Sequence, residues 1–282
     1  MKQMSFLLLS VIFSLVGICN LNAETIKGNG NIVTKEFNVK DFDEITLSMP
    51  ATVHFTQSEQ YSCSVTIDEN LLQFISLKTV GDDLRIRQLP SKDGKPILSF
   101  SFGEKEVSWP NYQYATLQFT KFEINISAPR LEDVAVNGSG KFVFSTEFSN
   151  VKLDVDVNGA GQVSAEKGLR VDELDVELTG SGAVYFAQLT AEDVEVTNSG
   201  SGNSTLNGAF DELDLILMGS GNINVSGNSK KAKAKIAGSG NVYLGNVSEL
   251  IRYEIAGSGN IYYSGDAEIR GFTAGSGTIQ KK

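Results

Sequence analysis

Leu213-Asp214-Leu215-Ile216-Leu217-Met218-Gly219-Ser220-Gly221-Asn222-Ile223-Asn224-Val225 sets two runs of alternating apolar residues on either side of a Gly-Ser-Gly. Alternation with a period of two is the mark of a strand with one buried face. Glycine between two such runs marks a sharp bend, because positive φ costs little without a Cβ. The same element recurs at Gly138, Gly159, Gly180, Gly200, Gly219, Gly238, Gly257 and Gly275, with spacings of 21, 21, 20, 19, 19, 19 and 18 residues. So narrow a period over eight copies predicts stacked coils rather than a globular sandwich. The expected fold is all-β: a β-solenoid of about eight coils over residues 131–282, each coil a strand, a Gly-Ser-Gly corner, a second strand and a polar turn. At Asn198-Ser199-Gly200-Ser201-Gly202 the corner has two possible phases.

Asn203, Asn222, Asn241 and Asn260 follow the second glycine in four successive coils. Stacked in register, their amides form a hydrogen-bonded ladder. Calcium-binding glycine repeats carry a carboxylate at that place, so no metal site is expected. Acid pairs recur just before the alternating strand, at Glu132-Asp133, Asp172-Glu173, Glu192-Asp193 and Asp211-Glu212. They read as a solvated turn that discourages edge association, with a cation-bridged stack or a catalytic pair as alternatives. Residues 131–229 hold 16 acidic and 4 basic residues, a net of −12, whereas 230–282 hold 8 basic and 4 acidic, a net of +4. That balance argues against nucleic acid or another polyphosphate as partner. Lys230, Lys231, Lys233 and Lys235 read as the solvated face of a strand.

Residues 24–130 are β-rich with weaker repetition and form the expected N-terminal domain. Gly28-Asn29-Gly30-Asn31-Ile32 reads as a ninth corner, and Phe42 to Leu47 mirrors Phe210 to Leu215. Ile75–Val80 and Leu84–Leu89 predict a hairpin turning at Gly81-Asp82-Asp83. Between Ser91 and Tyr114 the pattern loosens into an insertion with Pro96, Pro110 and a cluster of aromatic residues. Trp109, Tyr112 and Tyr114 are the candidate partner-binding residues; they serve either as a lid on the solenoid end or as a platform for a saccharide or protein. Residues 1–23 read as an export signal, with Lys2, an apolar run from Phe6 to Ile18, and Ala23 before the cut. Ile18 ahead of Cys19 argues against a lipid anchor. The mature chain is expected to be secreted, periplasmic or at the cell surface, with no later stretch long and apolar enough to span a bilayer.

The Gly-Asn-Gly-Asn-Ile at 28–32, the Phe42-Asp43-Glu44-Ile45 strand, the Pro129-Arg130-Leu131 lead-in and the repeated Gly-Ser-Gly-Asn-Ile corners together resemble the head GIN domain family of auto-transporter adhesins. The resemblance covers nearly all of the mature chain and implies an extracytoplasmic, β-helical bacterial protein. It carries no functional residues onto named positions.

Catalytic chemistry is thinly signalled. His54 is the only histidine, on the side of its strand opposite Val53 and Phe55, and Cys63 is the only thiol of the mature chain. Neither has the partners that a nucleophile or a metal site needs. The expected function is a non-catalytic binding or structural module, adhesin-like, with a glycan or an envelope protein as partner and no cofactor. The rival is a β-helix polysaccharide lyase or glycosidase, which needs converging acids.

Overall fold

A computed structural model describes residues 24–92, 95–96 and 114–282. The described residues are nearly all-β and wind into a β-solenoid of about seven turns. Eight corners give about seven turns because the last, at Gly275, is followed only by the short strand Ile279–Lys281.

Register ties the coils together in parallel. Gly138 pairs with Gly159, Gly159 with Gly180, and Gly180 with Gly200. The last pairing settles the phase at 198–202: the corner is Gly200-Ser201-Gly202, and Asn198 belongs to the strand before it. Inward residues stack as columns. Leu47, Val136, Val157, Leu178, Asn198, Leu217, Ile236 and Ile255 form one. Val53, Phe142, Val163, Val184, Ser204, Ile223, Val242 and Ile261 form another. Branched and aromatic side chains suit a pleated surface buried on one face. Apart from Asn198 and Ser204, both columns are buried and apolar and belong to one continuous core.

Each coil has three sides rather than the two strands and polar turn expected. In the coil after Gly182, inward residues fall at Val184, Phe186, Leu189, Ala191, Val194 and Val196, so the two-residue step twice becomes three there. Each longer step leaves two successive residues outside, Ala187-Gln188 and Glu192-Asp193, and the inter-coil register shifts or skips there. In later coils the first bend carries a glycine, with Gly208 and Gly227 in register with Leu189 and Gly245 packed against Gly227; the second bend carries none. The leading side runs from the Gly-Ser-Gly corner to the first slip, the middle side between the slips, and the trailing side back to the next corner.

Glu44–Ser48 and Thr52–Gln57 form an earlier coil beneath Asp133–Gly138 and Lys141–Phe144. Its corner is Met49-Pro50, and the carbonyl of Met49 lies where a Cβ on Gly140 would fall, at 2.5 Å. The mirror between Phe42–Leu47 and Phe210–Leu215 holds in kind, but the register carries Ile45 onto Leu215, two residues beyond the sequence match. The expected ninth corner at Gly28–Ile32 is not a corner. The strand after it, Ile32–Phe37, pairs antiparallel with Ser62–Asp68, outside the stack of coils. The buried Asp68 carboxylate organises the loop instead, accepting the Gly30 N–H at 2.9 Å and the Thr120 N–H at 2.7 Å.

Antiparallel pairing closes this end of the rod. Phe122–Ala128 lies parallel to Thr52–Gln57 and antiparallel to Ser62–Asp68. Ile75–Val80 and Asp83–Gln88 form the expected hairpin, whose second strand runs parallel to Glu44–Ser48. A 3-10 turn at Glu69–Phe74 buries Leu71 and Phe74 against the core.

Candidate functional site

Trp109 and Tyr112 lie outside the described residues. Tyr114 is 58% exposed. Beside it the chain is tied down: the Ala115 N–H donates to Ser91 Oγ at 3.0 Å, and Gln88 Nε2 donates to the Ala115 carbonyl at 2.8 Å. His54 sits on its strand between Asn125 and Val143, with Val53 and Phe55 buried on the other face as expected. Cys63 is fully buried; burial, with the Glu36 charge adding to it, pushes its thiol up to about 12. Such a thiol stays protonated at neutral pH and is a poor nucleophile.

The trailing side carries the charge. Asp83, Glu44, Asp133, Asp154, Asp175, Glu195 and Asp214 follow one another in register as a single outward column, which then changes sign to Lys233, Arg252 and Arg270. Neighbouring coils lie about 4.8 Å apart, so like charges repel along the column. Burial, followed by the charges of Asp156, Glu44, Asp154 and Asp83, raises the Asp133 carboxyl to about 6. Glu44, Asp156, Asp175 and Glu195 are also raised, in each case by burial first and by neighbouring carboxylates second. Relief comes from cations. Lys152 pairs with Asp154 at 2.9 Å, and Arg85 with Asp83 at 2.7 Å. Lys230 reaches Asp211 at 2.7 Å, Lys231 reaches Glu212 at 2.6 Å, and Lys233 pairs with Asp214. These three lysines are solvent-facing as expected, but each is also matched to an acid of the preceding coil. Among the described residues no group of three or more His, Cys, Asp or Glu converges to hold a metal ion.

The leading side is uncharged along its amide ladder. Asn222 Nδ2 donates to Asn203 Oδ1 at 3.0 Å, and Asn260 Nδ2 to Asn241 Oδ1 at 3.1 Å. Between them Asn241 Nδ2 reaches Asn222 Oδ1 at 3.5 Å. Thr278 Oγ1 continues the ladder by donating to Asn260 Oδ1 at 2.9 Å.

Sequence reasoning missed the middle side. Ser149, Arg170, Thr190, Ala209, Asn228 and Asn246 lie on it in register. An open groove of about 830 Å³ runs over it, with Gln57, Glu147, Gln188, Asn207 and Ser226 among its walls. A second hollow of about 580 Å³ shares Arg170, Thr190 and Ala209 and extends to Asn246 and Ser248. Asn207 Oδ1 accepts from Ser226 Oγ, and Asn246 Nδ2 donates to Asn228 Oδ1 at 3.0 Å, so amide side chains are held in place along the groove. The signal in the sequence is the break in alternation at Phe186–Leu189, with the single glycines Gly208 and Gly227 stacked on it in the next coils, which turns the chain and creates a third side.

The family profile described as "Putative auto-transporter adhesin, head GIN domain" matches residues 41–267. Among solved structures, a putative lipid binding protein from Parabacteroides distasonis is 28% identical, with a TM-score of 0.80, covering 92% of this chain and 100% of its own. Two others share the fold over the same proportions: a putative adhesin from Parabacteroides distasonis at 22% identity and a TM-score of 0.77, and one from Parabacteroides merdae at 23% and 0.73. No curated protein matches the chain. The profile spans the first coil, the antiparallel closure and nearly all of the stacked corners, and the chain belongs to the head GIN domain family of auto-transporter adhesins.

Proposed function

We propose that the protein is an extracytoplasmic, non-catalytic attachment module whose solenoid flank engages a glycan or an envelope component. The observation that carries this reading is the in-register stacking of outward side chains along each side of the rod, where amides, hydroxyls and charges line up from coil to coil. A repeating surface suits a repeating or extended partner. Hydrolysis or elimination, by contrast, needs an acid and a base gathered around one bond. Membership in an adhesin family points the same way. The reading of residues 1–23 as an export signal supports a location outside the cytoplasm.

The test is retention of the purified protein on immobilised glycans, envelope proteins and lipid vesicles, with product analysis on the same polysaccharides. Vesicles belong in the panel because the 28% identical Parabacteroides protein is described as lipid binding. Saturable retention without release of reducing or unsaturated ends is the expected outcome. Turnover that is lost on neutralising Asp172 or Asp193, with the fold intact, overturns the reading.

A further inference from the structure

We infer that the middle-side groove binds a neutral, hydroxyl-rich glycan chain lying along the solenoid axis; the inference rests on the attachment reading and names its site and ligand class. Shape is the first argument. The line from Ser149 to Asn246 crosses six coils in register, a length of about 24 Å at one coil per ~4.8 Å. A sugar ring in an extended chain advances by a similar distance, so successive rings meet equivalent side chains. The open groove's volume of about 830 Å³ lies in the range of ligand sites.

Chemistry is the second argument. The walls present amides and hydroxyls, from Gln188, Thr190, Asn207, Ser226 and Asn228, while Ala209 leaves an apolar spot on the floor for the C–H face of a ring. The Asn207–Ser226 and Asn228–Asn246 pairs are ordered before any ligand arrives. Binding then costs less side-chain entropy than at a surface of free amides.

Charge is the third argument and selects among glycans. Asp172, Glu192 and Asp211 follow the trailing edge of the hollow, one per coil. They accept hydrogen bonds from hydroxyl groups and repel uronates, sulfates and phosphates. Arg170 lies in the central column between Ser149 and Thr190, and Lys230 follows the row and pairs with Asp211, so with Glu147 four acids stand against two cations.

The probe is a panel of neutral glucans, mannans and galactans set against pectin and heparin as anionic counterparts, with affinity measured on the purified protein. We expect a neutral polymer to bind best. Ala209→Trp, which fills the groove floor, weakens binding at least tenfold, whereas Ala237→Trp on the outward trailing side leaves it unchanged. Asn228→Ala with Asn246→Ala, which adds no bulk, weakens it at least fivefold and keeps the test open if the tryptophan variant misfolds. Wild-type affinity in both groove variants overturns the site and leaves attachment standing. Preference for pectin or heparin overturns the ligand class. Retention on envelope proteins or vesicles but on no glycan also overturns this inference alone, and retention on nothing removes the attachment reading with it.

Discussion

At the scale of single residues, the corner glycines do two different jobs. Gly180 takes φ of 120°, a conformation that a side chain disfavours. Gly221 has no such φ, but a Cβ there would sit 1.9 Å from the Gly202 carbonyl oxygen of the preceding coil. Ser220, between the two glycines of its corner, is exposed. Gly221→Val is therefore expected to cost roughly 3 kcal/mol or more, and Ser220→Ala to stay within about 0.5 kcal/mol, by denaturant unfolding. Equal midpoints for the two variants contradict stacked corners. Asn198 is the complementary case, an amide in a column of aliphatic side chains. Its Nδ2 donates to the Gly202 carbonyl at 2.8 Å, but its buried Oδ1 has no partner. An unsatisfied buried acceptor is costly, and leucine occupies the same place in the coils on either side. Asn198→Leu is expected to stabilise the protein by about 1 kcal/mol, a gain that a lower unfolding midpoint would refute.

At the scale of elements, the trailing strands bring acids together and pH reads the result. Asp133 titrates near 6 in the folded chain against an ordinary value of 3.8, so the folded state takes up its proton first. A raised carboxyl favours folding once protonated, and that contribution is lost as pH rises through 6. Melting temperature should rise by a few degrees between pH 7.5 and 5. Asp133→Asn should raise it at pH 7.5 and shrink the gain on acidification. A melting temperature that falls steadily over that interval, in both proteins, refutes the column. The repeated acid pairs were legible in the sequence, as were the corners, the amide ladder and the hairpin, because each depends on local spacing. The full column was not: Asp83 and Glu44 join it only through strand pairings across 39 and 89 residues, from Glu44 to Asp83 and to Asp133, which no local pattern encodes. The middle side was hidden for a different reason. Its first bend is marked in later coils by single glycines, Gly208, Gly227 and Gly245, and its second by a pair of charged residues; neither carries the Gly-x-Gly pattern that announces the main corner.

At the scale of the whole molecule, the described residues close the two ends of the rod unequally. In a solenoid each coil is held by its neighbours, so an end coil has half the contacts of an interior one unless something caps it. The N-terminal end is capped by the hairpin, the Phe122–Ala128 strand and the 3-10 turn with its buried Leu71 and Phe74. The strand Glu268–Gly275 at the other end pairs with the coil beneath it, and its outward residues include Phe272 at 59% exposure. There the aliphatic column that ran through Ile236 and Ile255 ends at an exposed Thr273. Opening free energies are lowest where buried apolar contacts are fewest. Amide hydrogen exchange should therefore be graded along the axis: slowest in the strands between Lys152 and Leu217, faster in Asn241–Gly257, and fastest in Glu268–Gly275 and Ile279–Lys281. The middle-side groove runs from the slow coils to Asn246 in Asn241–Gly257, so a ligand held there should slow exchange in that strand but leave Glu268–Gly275 and Ile279–Lys281 unchanged. Protection of Glu268–Gly275 equal to that of Asn203–Leu217 in the isolated protein at low concentration would contradict an open end.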